Sequence, residues 1–74
     1  MLILTMQYSK HAKFQMGERS ITESEVNECL AEHSVCYPDK KGNQIIRSDN
    51  IRGRGIKVVI AKDDPNFIIT VADY

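Results

Sequence analysis

A switch in hydrophobic period just after His33 constrains this chain more than any other feature. Before it, Thr22-Glu23-Ser24-Glu25 carries the T-x-x-E capping box that opens a helix. Ile21 precedes it as one half of a hydrophobic staple against Val26. Val26, Cys29, Leu30 and His33 then fall within one arc of roughly 100° on the helical wheel, with Glu23, Glu25, Glu28 and Glu32 outside it. After the switch the apolar residues alternate instead. Ile56, Val58 and Ile60 share one face of a strand over 56–61, and Phe67, Ile69 and Val71 share one face of a closing strand over 67–72. Helical periodicity followed by strand periodicity predicts an α+β domain.

The remaining elements follow from local chemistry. Leu2 to Met6 reads as a short first strand, and Ser9 as the N-cap of a helix running to about Arg19. Tyr8, Ala12 and Met16 lie on one arc, taken as the buried side, and Gly17 weakens the last turn. Val35 to Tyr37 forms a strand stopped by Pro38, Asp39 to Asn43 a turn, and Gln44 to Ser48 a strand. Asp49 to Gly55 reads as a loop carrying Arg52-Gly53-Arg54-Gly55, and Asp63 to Asn66 as a turn. The expectation is one domain over 1–74, two N-terminal helices on a mostly antiparallel sheet of about four strands. Lys57, Thr70 and Tyr74 are left on the face opposite the two apolar rows.

Composition restricts function. The 74 residues leave room for one thin core. No apolar run approaches the ~20 residues that span a bilayer, and Met1 to Thr5 lacks the charge and length of a secretion signal. The expected location is therefore the cytoplasm, without a membrane partner, and Cys29 and Cys36 read as reduced thiols. Net charge is zero but unevenly spread. Six acids stand between Glu18 and Asp39 against Arg19, and six bases between Lys40 and Lys57 against Asp49. That pattern fits either two solvated faces or a basic surface for an anionic partner.

Three groups of residues can carry chemistry. His11 sits at the border of the first helix's apolar arc, beside Gln15 and Glu18, where an imidazole can serve as acid or base or simply meet water. Cys29, His33 and Cys36 lack a fourth ligand and a recognised zinc spacing, which favours a core thiol and a helix-capping histidine over a metal site. Arg47, Arg52, Arg54 and Lys57 offer planar forks and an ammonium to phosphate, although R-G-R-G is also ordinary turn chemistry. Nucleophile elbow, H-E-x-x-H, EF-hand and nucleotide-binding glycine motifs are missing, so no cofactor is expected.

Tyr8-Ser9-Lys10-His11-Ala12, followed by Met16-Gly17-Glu18-Arg19-Ser20-Ile21-Thr22, resembles the prokaryotic domain-of-unknown-function family forty-two fifty-eight. Later segments of the same pattern are Glu23 to Leu30, Lys57 to Ala61, and Ile68-Ile69-Thr70-Val71. The family's layout is similar to that of RelE-like toxins, small nucleases that cut RNA without metal. The resemblance implies that His11 is the matching helix histidine and that bases on the sheet hold phosphate. As a ribonuclease, His11 would be base or acid and Arg47, Arg54 and Lys57 would stabilise charge on the phosphate. Lys10 and Arg52 would hold the RNA backbone, and Thr70 and Tyr74 would position substrate. The alternative is a non-catalytic module that binds an antitoxin-like protein or a second copy of itself.

Overall fold

A computed structural model describes residues 6–74. Its elements run β1 (Gln7–Tyr8), α1 (Lys10–Arg19), α2 (Glu23–Ala31), β2 (Val35–Pro38), β3 (Gln44–Ile51), β4 (Arg54–Ile60) and β5 (Phe67–Asp73). The five strands form one sheet in the order β1-β5-β4-β3-β2. All neighbours are antiparallel except β1, which pairs in parallel with β5. The α+β expectation holds, with a sheet of five strands where about four were expected, and its first strand is Gln7–Tyr8. The expected first strand over Leu2 to Met6 lies, but for Met6, outside the described residues, and Met6 itself is not in a strand.

Both helices start where their caps dictate. Ser9 Oγ accepts from the Ala12 N–H at 3.0 Å and donates to the Ile69 carbonyl at 2.7 Å, so one hydroxyl caps α1 and fastens it to β5. Ser20, with φ 54°, closes α1 in the left-handed region, and the Ile21 N–H returns to the Met16 carbonyl at 2.9 Å. The helix therefore continues past Gly17 to Arg19. At α2 the capping box is complete: Thr22 Oγ1 accepts from the Glu25 N–H and Glu25 Oε1 accepts from the Thr22 N–H.

Ala12, Ile21, Val26 and Cys29 from the helical layer meet Ile46, Ile51, Ile56, Val58, Ile68 and Val71 from the sheet in a single core. Both helices therefore cover the same face of the sheet, α1 over β5 and α2 over β3 and β4. Ile56 and Val58 are fully buried and Ile60 packs against the same core, as their alternation predicts.

Three local expectations are corrected. β5 does not keep one phase: Val59 pairs with Thr70 but Ile60 with Ile68, leaving Ile69 as an extra residue in the ladder. The buried pair is thus Ile68 and Val71, while Phe67 and Ile69 are only partly buried. The carbonyl that Ile69 frees is the one Ser9 Oγ satisfies, and Gln15 Oε1 accepts the Val71 N–H at 3.1 Å. Next, the expected loop from Asp49 to Gly55 is mostly strand. β3 runs to Ile51, with a bulge after Ser48, and β4 begins at Arg54. Only Arg52 and Gly53 turn the chain, with φ of 53° and 89°, the positive pair of a two-residue hairpin. Finally, Glu25 is not on a solvated stripe but buried.

A Cβ at Gly53 would touch nothing within 4 Å, so Gly53→Ala tests the backbone alone. Its left-handed φ is expected to cost about 1 kcal/mol, read from the urea midpoint at unchanged slope.

Candidate functional site

The alternation that buries Ile46, Ser48, Ile56 and Val58 turns Arg47 and Lys57 to the other face of the sheet, which neither helix covers. Arg47 and Lys57 stand directly opposite each other on β3 and β4. Like charges so placed repel. The Arg47 guanidinium lies 4.2 Å from the centre of the Tyr74 ring, a cation–π contact. The Tyr74 hydroxyl donates to Asp49 Oδ1. Tyr37, over a third exposed, shares this face from β2, where its register partner is Ile45. The Tyr37 and then the Tyr74 phenol push the Arg47 guanidinium above its ordinary pKa, keeping it charged. The hydrogen bond to Asp49, helped by some burial, raises Tyr74, with Arg47 opposing.

Gly55 makes the Tyr74 position available. A Cβ there would come within 2.9 Å of the ring, so the ring can approach β4 this closely only because Gly55 has no side chain. Farther along the same face, toward the turn joining β2 and β3, an open depression of about 440 Å³ lies between that turn and β4–β5. Ile45, Val59 and Ile69 give it apolar surface, and Lys40, Lys41 and Lys57 line it together with Asp39, Asn43 and Thr70. The turn is firmly built: Asp39 Oδ1 accepts from the N–H groups of Lys41 and Asn43, and Asn43 Oδ1 accepts from the Lys62 N–H at 3.0 Å. Burial raises the Asp39 carboxyl, but the hydrogen bonds from Asn43, Lys41 and Gly42 together hold it below its usual value.

The expected site residues separate into three places. Arg47, Lys57, Thr70 and Tyr74 come together on the open face. Arg54 does not join them, because it is drawn to the helical layer. Its guanidinium donates to the Arg19 and Ser20 carbonyls at 2.9 and 2.7 Å and to both Glu25 oxygens. Arg52 likewise pairs with Glu28 at 2.7 Å and reaches Ser24. Two acids of the helical segment therefore hold the two arginines of the R-G-R-G motif. Lys10 and His11 stand exposed on α1, which packs on the opposite face of the sheet. His11 does not converge with Arg47 and Lys57.

Sequence reasoning missed Tyr37, Asp49 and Lys40, which belong to the open face. A period-2 reading of β2 and β3 in register would have found the first two, since Tyr37 pairs with Ile45, one of Arg47's same-face neighbours. Among the described residues the ion pairs are Arg19–Asp73, Arg52–Glu28 and Arg54–Glu25, and none includes Lys40, Lys41, Arg47 or Lys57.

The cysteines divide as a core thiol and a surface thiol. Cys29 is fully buried, with Sγ 3.5 Å from the Ile56 carbonyl, and burial pushes its pKa up to about 11. Cys36 is exposed beside Gln44, and His33 Nδ1 lies 3.1 Å from the Leu30 carbonyl at the end of α2. A disulfide reagent at pH 8 is expected to label Cys36 promptly and Cys29 only in denaturant, as thiol counting by mass spectrometry would read.

No helix among the described residues is long and apolar enough to cross a membrane. No curated protein and no solved structure matches the chain. The family described as Domain of unknown function (DUF4258) matches residues 8–73, a span that includes Arg47 and Lys57 and stops one residue short of Tyr74. The match takes in nearly the whole chain, from Tyr8 through the last strand, and the chain belongs to this family.

Proposed function

We propose that this domain is an RNA-binding protein, with a layout like that of RelE-like toxins, which holds a single strand across the open face of its sheet. The observation that carries the reading is the Arg47–Lys57 pair: two like charges opposed on adjacent strands, unpaired among the described residues. Such a pair costs stability when the face is empty and is relieved by a polyanion laid between them. Tyr74 and Tyr37 beside Arg47 add aromatic surface on which bases stack, the usual companion of a cationic groove for single strands. Zero net charge does not oppose this, because the open face itself gathers Arg47, Lys57, Lys40 and Lys41 against Asp39 and Asp49.

Metal-independent cleavage with His11 as base or acid is not what this geometry favours, because His11 belongs to the other layer. The test is fluorescence anisotropy of a labelled single-stranded RNA over a salt series, with a chelator cleavage assay alongside. Binding should weaken steeply and log-linearly with salt, and His11→Ala should bind as the parent does. Cutting in chelator that His11→Ala abolishes would instead establish the ribonuclease.

A second reading has its own observation. β2 is an uncovered edge strand bearing the exposed Val35 and Tyr37, which suits a partner protein, antitoxin-like or a second copy. Association that persists unchanged at high salt and is lost in Val35→Lys would favour it.

A further inference from the structure

The depression at the turn end of the open face does not overlap the Arg47–Tyr74 contact, and its chemistry differs. Arg47 and Tyr74 present a flat cation and ring. The depression presents apolar surface from Ile45, Val59 and Ile69 beside Lys40, Lys41 and Lys57, and its one carboxylate, Asp39, is turned to the N–H groups of its own turn. A phosphate alone would be served by the lysines and has no use for that apolar surface. An apolar ligand would be served by the apolar surface and not by three ammonium groups. A nucleotide uses both, since a base has apolar faces and its phosphate is anionic. The volume, about 440 Å³, lies within the range of small-ligand sites.

Two features favour a base that arrives as part of a chain. Lys57 lines the depression and also faces Arg47 across the strands, so one ammonium is common to both sites. Val59 lies two residues along β4 from Lys57, about 7 Å away at strand rise, and on the same face. The bulge supplies the second feature. Ile69 lines the depression because it is the extra residue of β5, the adjacent Ile68 being buried in the core. Without the bulge this part of the apolar surface would be missing.

Resting on the RNA reading above, we propose that this depression seats one unstacked nucleobase, with Lys57 on the adjoining phosphate. The face then reads two positions of a single strand, one on Tyr74 and Arg47 and one between the turn and β5.

The experiment compares two octamers on the whole protein at low salt, oligouridine and an abasic ribose-phosphate chain of equal length. The parent is expected to bind the base-bearing octamer about tenfold tighter. Val59→Leu combined with Thr70→Leu adds apolar bulk within the depression, and Ile45→Ala removes part of its apolar surface. Each is checked by its melting midpoint, so that either can stand in if the other fails to fold. Both should shrink the gap to about threefold, the position on Tyr74 being left intact, by weakening the oligouridine while leaving the abasic chain unchanged. If the gap stays whole in both, the base does not enter the depression and the RNA reading stands without it. If both octamers weaken equally, the depression touches only backbone, and the proposal is overturned. Failure of the parent to bind either chain removes the RNA reading and this proposal together.

Discussion

Replacing Glu25 with alanine should destabilise the fold by about 3 kcal/mol, a large share of the margin of a domain this small. Glu25 is a buried carboxylate with two tasks. It closes the capping box by accepting the Thr22 N–H at 2.9 Å, and both of its oxygens receive the Arg54 guanidinium at 3.0 and 3.1 Å. Loss of the cap costs about 1 kcal/mol. Leaving Arg54 without its anion adds more, discounted because Arg54 is about a third exposed to water. Arg54→Ala should do comparable damage, since it also frees the Arg19 and Ser20 carbonyls. The two losses should not add, and a double-mutant cycle reads their coupling.

A pH dependence follows. Thr22's backbone hydrogen bond, then Arg54 against the opposing cost of burial, hold Glu25 below its ordinary 4.5. The unfolded chain therefore binds this proton more readily than the folded one. Its contribution is complete above 4.5 and is lost as pH falls through the depressed folded value. Urea midpoints followed downward from pH 6 should decline in the parent and decline less in Glu25→Gln. Equal slopes would show that Glu25 is not the titrating support.

The second large effect concerns binding. Arg47→Ala with Lys57→Ala should weaken single-stranded RNA about 100-fold at low salt and flatten the salt slope by about 1.4, two phosphates' worth. The same change should leave the melting midpoint about level, because the cross-strand repulsion it removes offsets the Arg47–Tyr74 contact it loses. Weaker binding with equal stability is a combination that general unfolding cannot produce. Unchanged affinity and slope would remove the open face from consideration.

What could be read from the sequence was what neighbouring residues decide. Ser9 and Thr22 announce their helices because a cap needs only the next three residues, and β4 announces its buried face because Ile56, Val58 and Ile60 alternate without interruption. What escaped depends on distant partners. Glu25 looks like one more surface acid until Arg54, 29 positions away, is brought to it. Arg52 and Arg54 look free for phosphate until α2 passes beside their turn. The phase of β5 escaped because the sequence Phe67-Ile68-Ile69 is apolar at every position and hides the bulge. The open face was half legible: parity placed Lys57 and Thr70 there, whereas separating them from His11 required knowing which side of the sheet α1 covers.

The parallel pairing of β1 with β5 bears on the order of folding. The hairpin of β3 and β4 closes through a two-residue turn and can form early, as can α2 with its own capping box. α1 cannot dock so soon, because its N-cap hydroxyl rests on Ile69 and its neighbour β1 pairs with Phe67 and Ile68, about sixty positions along the chain. Closing so long a loop is slow compared with local contacts. On a ribosome, the first helix of this domain must therefore wait, unpacked, until its last strand has emerged.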